Sequence, residues 1–190
     1  MKHQLLTLTI ALSCTFAGNA MAMTKTEYKA DKDRISGDYK VAKEKCSSLK
    51  ANAKDICVSE SKGIEKVAMA ELQAKYEPSA KHTQKVSMVK ADTAYATAKE
   101  KCDDLSGNAK DVCVKDAKVV HVKAKEDAKI AKVSADTSSN NSEKMTSVKK
   151  EAGAEEREAM YKAAKERCDS LTGASKDTCQ NDAKVKYSMK

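Results

Sequence analysis

The chain has 190 residues, a formal net charge of +8 and 34% charged residues, but it contains no Trp and a single Phe. Such a scarcity of large apolar side chains excludes a large conventional core, and no apolar run beyond the first residues is long enough to cross a bilayer. The chain therefore needs another source of stability, and seven cysteines are available for it.

Residues 1–22 have the features of a cleaved secretory signal. Lys2 supplies a positive end, an apolar run occupies positions 5–16, and Ala20-Met21-Ala22 forms a small-x-small cleavage site. We expect the mature chain to begin near Met23, with six cysteines and one positive charge fewer. An exported chain with an even set of cysteines suits an oxidising compartment such as the bacterial periplasm, so we predict a periplasmic or secreted protein.

Two alternatives to a cleaved signal stay open. A retained membrane anchor is disfavoured because a span of the hydrocarbon core needs about 20 apolar residues. A lipoprotein acylated at Cys14 is the other alternative, although Leu12 stands one place away from where a lipobox has its leucine.

Three copies of one motif organise the rest of the chain. Each copy reads Tyr-x-x-Ala-Lys-Glu-basic-Cys, then Leu three residues later, a short polar segment and Lys-Asp-x-Cys; the copies run from Tyr39 to Cys57, Tyr95 to Cys113 and Tyr161 to Cys179. We predict one repeat over each of the ranges 23–77, 78–137 and 138–190, after a signal at 1–22. The only proline, Pro78, ends the first repeat, and a polar stretch over 137–142 separates the second from the third, with Ser142 as a cap for the next helix.

Each motif has the pattern of a helical hairpin. In the central copy the small and apolar side chains recur at spacings of three and four, which places them on one helix stripe: Met88, Ala91, Tyr95, Ala98, Cys102 and Leu105. Gly107 suits the left-handed position just past a helix end, and Asn108 suits the N-cap of the next helix. After the turn, the stripe resumes on the return helix at Cys113 and includes Val120. The return helix of the first repeat has Ile64 on its corresponding stripe. Ala51 replaces the turn glycine in the first copy, which predicts some backbone strain there.

The two cysteines of each copy lie at nearly equal distances from the turn, so they face each other across an antiparallel hairpin. Six cysteines allow 15 pairings. Since the Cys-x10-Cys spacing occurs three times, we favour local disulfides that join Cys46 to Cys57, Cys102 to Cys113 and Cys168 to Cys179. The predicted fold is all-α, with three disulfide-clamped antiparallel hairpins arranged as an up-and-down bundle or an elongated zigzag.

These residues resemble a group of uncharacterised exported envelope proteins of proteobacteria, whose units read Tyr-Lys-x-Ala-Lys-x-x-Cys-Asp-x-Leu-x-Gly-Asn-Ala-Lys-Asp-x-Cys. The resemblance covers most of the mature chain and is closest from Cys102 to Cys113. Ala51 and Ala174 depart from the Gly-Asn pair, which concerns the turns alone. The resemblance implies an envelope location and supplies no catalytic residues.

Candidate catalytic residues are hard to find. His82 and His121 are the histidines of the mature chain, and each stands among lysines without a Ser or Cys partner at a suggestive spacing, so a solvated helix surface is the favoured interpretation of both. We predict no catalytic, cofactor-binding or metal-binding residues. A zinc site is the weaker alternative to the disulfides, because four ligands would have to come from two hairpins or include His121.

The recurring tyrosines, Tyr39, Tyr95 and Tyr161, could form a stacking platform for bases or sugars. Their heptad register with the cysteines favours instead a seam between two Ala-rich helices.

Lysines are abundant, but acidic residues are interleaved with most of them, which is typical of a solvated, ion-paired helix face. The leading prediction is therefore a non-enzymatic exported repeat protein with a structural or protein-interaction role, whose partner is an envelope component or another protein. The alternative is a weakly basic module for anionic lipid, lipopolysaccharide or nucleic acid without sequence specificity. A metal-binding or redox protein is third. We expect weak contact with anionic surfaces that disappears by about 0.15 M salt, and we name Lys118, Lys123 and Lys125 as the lysines that would carry any stronger binding.

Overall fold

A computed structural model describes residues 23–137 and 140–189, so the predicted signal at 1–22 and Cys14 lie outside the described residues. Over this part the chain forms six α-helices and no strand, which confirms the all-α prediction: α1 (Lys25–Cys46), α2 (Ala51–Tyr76), α3 (Ala80–Cys102), α4 (Gly107–Ser134), α5 (Asn141–Cys168) and α6 (Gly173–Lys186). Side-chain caps are present at the starts of α1 and α3, whereas α2, α4, α5 and α6 begin without a side-chain cap hydrogen bond. The cap of α1 is a capping box in which Thr24 and Glu27 satisfy each other's backbone N–H groups.

Each helix packs against its neighbours in the chain and, within the described ranges, against no other helix. Short connections make consecutive helices antiparallel, so the predicted up-and-down arrangement of hairpins is confirmed. Because no contact joins α1 to α4 or α3 to α6, the layer stays open, as in the zigzag alternative. Such an array is quasi-one-dimensional, and every inner helix has two packed sides and two free ones.

Three disulfides clamp the hairpins at their turns, in the pairing that the repeated spacing favours. They join Cys46 to Cys57, Cys102 to Cys113 and Cys168 to Cys179, with Cα–Cα distances of 5.6, 5.6 and 5.7 Å. The first cysteine of each pair is fully buried. The three disulfides are therefore the centre of the core at the turn end of each hairpin.

The hairpin turns depend on one left-handed residue each. Gly107 and Gly173 have φ of 55° and 56°, and Ala51 has φ of 47°, so the predicted strain falls on the alanine. The details of two caps were wrong. Gly107 begins α4 with Ser106 as N-cap, which places Asn108 inside the first turn, and α5 begins at Asn141, one residue before Ser142.

Ile64 and Val120 contradict the predicted inner stripe, because 71% and 69% of their surfaces are exposed. The stripe was drawn for a hairpin alone, whereas α2 and α4 each pack between two helices and turn these side chains to a free side of the layer. The described core is correspondingly rich in small residues; its buried apolar members are Ile35, Cys46, Leu72, Ala91, Cys102, Ala128, Ala152, Ala159, Ala163, Cys168 and Ala183.

Adjacent hairpins are joined by the same hydrogen bond at both junctions. Asn52 donates from Nδ2 to the carbonyl oxygen of Glu100 at 2.7 Å, and Asn108 donates to that of Glu166 at 2.9 Å. These acceptors lie in the last turns of α3 and α5, where each carbonyl also accepts the backbone N–H of the C-cap residue, Asp103 or Asp169. The equivalent position in the third hairpin is Ala174, and no hairpin follows it in the described chain.

Candidate ligand-binding groove

The two histidines do not occupy the solvated surface that the sequence indicated. His121 is 8% exposed, and its ring stacks on Tyr95 with 4.6 Å between centroids. Its Nε2 lies 2.7 Å from Oδ1 of Asp92, and its Nδ1 lies 3.3 Å from Nζ of Lys118. Since an ammonium only donates, Nδ1 accepts and Nε2 carries the proton that is donated to Asp92. His82 is half-buried, with Nδ1 2.5 Å from the carbonyl oxygen of Glu77.

The His121 cluster joins α3 to α4 away from their disulfide. Partial burial raises the pKa of Asp92, but the hydrogen bond from His121 and the charge of Lys125, 3.7 Å away, outweigh that effect and hold the pKa below its usual 3.8. Tyr95 is half-buried here, which agrees with a seam position, and Tyr39 and Tyr161 are half-buried as well. Apolar periodicity missed the histidine because the contacts that bury it are polar and aromatic.

Lys118, Lys123 and Lys125, which were named from the sequence, each contact another side chain of the fold. Lys123 lies 3.2 Å from Asp127, whose hydrogen bond raises the lysine pKa, and Lys125 pairs with Asp92. Lys118 contacts His121 and lies 5.2 Å from the centre of the Tyr95 ring. Lys123 and Lys125 therefore have carboxylate partners within the fold, whereas the contacts of Lys118 are with His121 and Tyr95.

An open groove of about 730 Å³ lies over α2, between α1 and α3. We call it the α2 groove. Because α1 and α3 do not contact each other, α2 forms its base. Its floor is made of small or apolar side chains and close backbone from α2 and α3: Gly63, Met69, Ala70, Val89, Thr93 and Ala96. At one end Tyr28 stacks on Tyr76 with 4.5 Å between centroids and donates its hydroxyl to Gln73 at 2.6 Å.

Gly63 allows the two floor helices to approach closely. A Cβ built on Gly63 would lie 3.2 Å from Cβ of Thr93, which is tighter than an ordinary contact. Glycine normally weakens a helix interior by up to about 1 kcal/mol relative to Ala. At Gly63 the same missing Cβ that weakens the helix lets α2 and α3 pack closely beneath the groove.

Four exposed lysines surround the floor: Lys32 on α1, Lys62 and Lys66 on α2, and Lys85 on α3. None of them forms an ion pair with a carboxylate of residues 23–137 or 140–189. Two acidic residues line the same groove: Glu65, and Asp92, which is engaged by His121 and Lys125 and whose pKa the charge of Lys85 also lowers. The groove therefore combines an apolar floor with a rim of available positive charge.

The corresponding groove over α4 has the same backbone arrangement and different chemistry. It is smaller, about 360 Å³, and Tyr95 of α3 and several residues of α5 flank it. Lys162 pairs with Glu158 at 2.6 Å, and Lys115 lies 3.8 Å from Glu166. Its charges are thus largely compensated within the fold, in contrast to those of the α2 groove.

The described cysteines are all in disulfides, so none is present as a thiolate ligand for the zinc alternative. In residues 23–137 and 140–189 no three His, Cys, Asp or Glu side chains are grouped so as to hold a metal ion. Among the helices that the structure describes, none has the length and apolar character that a membrane crossing requires. No protein-family model, curated protein or solved structure matches this chain, so the resemblance to proteobacterial envelope proteins stays a prediction.

Proposed function

We propose that this chain is a non-enzymatic exported scaffold of the bacterial cell envelope, which acts by binding an envelope component or a protein partner along its open helical layer. The observation that carries the proposal is the packing of each helix on its chain neighbours alone, which leaves grooves between helices α1 and α3 and between α3 and α5. Concave surfaces of stacked helical repeats are suited to extended binding.

Export is supported by the disulfides. Three local disulfides within one small chain fit an oxidising compartment, where they persist without a reducing thiol pool. The predicted signal at 1–22 gives the route, and its cleavage near Met23 would release the chain to the periplasm. The disulfides also stabilise hairpins whose Ala-rich seams bury little apolar area.

The second candidate, a polyanion-binding module, is favoured by one observation. The four lysines of the α2 groove rim lack ion-pair partners in the described chain, whereas Lys123 and Lys125 have them. Such charges attract anions over about a Debye length, roughly 8 Å at physiological ionic strength. A polyanion-binding module needs positive charge alone. The apolar floor of the α2 groove has no role in such a module, so it favours the scaffold candidate.

Site-specific photo-crosslinking in intact cells tests the scaffold proposal. A benzophenone side chain at Ala96, which lines the α2 groove, should give adducts with envelope molecules. The matched control is Ala94, an exposed alanine on the same helix that faces the other side of the layer. The adducts should disappear when Lys62 and Lys66 are replaced by Glu. An absence of adducts at both positions would refute the scaffold proposal, and adducts at Ala94 equal to those at Ala96 would refute the assignment of the contact to the α2 groove.

A further inference from the structure

From the α2 groove we infer that this protein binds a single-chain anionic amphiphile, such as a fatty acid or a lysophospholipid with an anionic head. The inference rests on the proposed function and names the ligand class of the α2 groove. The apolar chain lies on the floor of the groove, and the anionic head contacts the rim lysines.

The floor suits an alkyl chain. Met69, Ala70, Val89 and Ala96 present aliphatic or thioether groups to the groove. Met is unbranched and polarisable, so it adapts to an irregular or flexible apolar ligand. Apolar surface left open to water in this way gains free energy when a ligand covers it.

The rim suits an anionic head. Lys62 and Lys66 stand one helical turn apart on α2, while Lys32 and Lys85 approach from α1 and α3. None of these ammonium groups lies within 4.0 Å of a carboxylate in the described residues, although the charge of Lys85 acts on Asp92, so a phosphate or carboxylate can bind them without breaking a close ion pair. A ligand with charge alone would leave the floor exposed, and a neutral chain would leave the lysines unused; an anionic amphiphile satisfies both.

The size of the groove suits a single extended chain. The base runs from Ser59 to Gln73, which corresponds to about 21 Å of helix at 1.5 Å per residue. The volume of about 730 Å³ lies within the usual range of small-molecule sites. A partner helix would lay one face in the groove, and the acidic helical peptide in the experiment below tests that competing occupant.

Repeat positions show that this chemistry is particular to the α2 groove. At the repeat positions of the floor residues Val89 and Ala96, the α4 groove is lined by Glu155 and Lys162, and the repeat position of Met69 is Lys125. Lys118 keeps a lysine at the position of Lys62, but the positions of the rim residues Lys66 and Lys85 are Val122 and Glu151. One fold thus carries an apolar floor with a basic rim in one repeat and a charged floor in the next.

Isothermal titration calorimetry of the mature protein with myristoyl-lysophosphatidylglycerol, below its micelle concentration, tests the inference. Binding should be saturable, and the zwitterionic myristoyl-lysophosphatidylcholine should bind at least about tenfold more weakly. Lys62→Glu with Lys66→Glu should weaken binding about tenfold or more. The matched control, Lys149→Glu with Lys150→Glu, reverses two exposed lysines of α5 outside the groove and should change binding less than about twofold.

A second pair of variants tests the floor. Met69→Gln with Val89→Asn should weaken lysophospholipid binding about tenfold while the low-salt binding of heparin stays unchanged. Circular dichroism and urea midpoints establish that the variants fold. The inference is wrong if the two head groups bind equally, if the rim or floor variants bind like the wild type, or if an acidic helical peptide binds the groove and the lysophospholipid cannot displace it.

The two proposals can fail separately. Protein adducts at Ala96 without lysophospholipid binding would leave the scaffold standing and overturn the ligand assignment. Lysophospholipid binding without any adduct in cells would support the assignment and overturn the envelope role.

Discussion

The left-handed residue of each hairpin turn allows a sharp test of the fold, because the three repeats differ there. Ala51 has φ of 47°, while Gly107 and Gly173 have φ of 55° and 56° at the equivalent positions. We predict that Ala51→Gly raises the free energy of unfolding and that Gly107→Ala and Gly173→Ala each lower it. No atom lies within 4 Å of a Cβ built on either glycine, so packing makes no contribution.

The magnitude follows from two opposing terms. A residue with a Cβ is less stable in the left-handed region by about 1 to 2 kcal/mol. Ala, however, has less freedom than Gly in the unfolded chain, which favours Ala by about 0.4 to 1 kcal/mol. The net effect should be about 0.5 to 1 kcal/mol in favour of glycine at all three positions. For a chain of this size each kcal/mol shifts the Tm by roughly 2 to 4 °C.

Urea denaturation measures these changes through the midpoint at constant m. Gly37 provides the matched control, since it has no positive φ, lies within α1 and has open space around its missing Cβ. Gly37→Ala should stabilise the protein by about 0.5 to 1 kcal/mol, the opposite sign to Gly107→Ala. If Gly37→Ala and Gly107→Ala shift the midpoint in the same direction, the left-handed backbone of the turn is not the reason for the glycine at position 107.

Three further predictions concern the clamps between helices. Reduction of the disulfides should lower the free energy of unfolding by about 3 kcal/mol for each closed loop, measured by urea denaturation with and without dithiothreitol; an unchanged midpoint would contradict it. Asn52→Ala and Asn108→Ala should each cost about 1 kcal/mol in the same assay, whereas Ala174→Asn should have no effect. Because the pKa of Asp92 is lowered in the folded state, its stabilising contribution is present above the usual 3.8 and is lost as the pH falls through the folded pKa, so Asp92→Asn should flatten acid unfolding monitored by circular dichroism.

The sequence predicted the hairpins well because their determinants are local. The spacing of Cys102 and Cys113 recurs in all three repeats, and helical periodicity on both sides of a Gly-containing turn leaves one antiparallel geometry for them. The disulfide pairing, the helical class and the strain at Ala51 follow from these features.

What the sequence did not predict depends on contacts that apolar periodicity does not report, both within a hairpin and between hairpins. Ile64 matches the apolar stripe by spacing, but α2 packs on both α1 and α3, so the stripe position falls on a free side. His121 is buried by Asp92 and Tyr95 of a neighbouring helix, which periodicity does not reveal. The sequence also does not reveal which lysines are ion-paired. Lys123 pairs with Asp127, whereas Lys66 has no ion-pair partner among the described residues.

The junction asparagines add directional bonds to the packing of one repeat on the next. Each junction adds an ion pair between the same repeat positions, Lys101 with Glu60 at 2.9 Å and Arg167 with Asp116, to the amide bond to a helix-end carbonyl. Hydrogen bonds and ion pairs are directional, so they fix the register in which the Ala-rich helix faces pack. Small side chains interdigitate little and therefore specify that register weakly. The amide donor is absent at the last hairpin, where Ala174 stands, although Asp182 preserves the acidic position. A further copy stacked on α6 would therefore lack the amide bond that orients the two internal junctions.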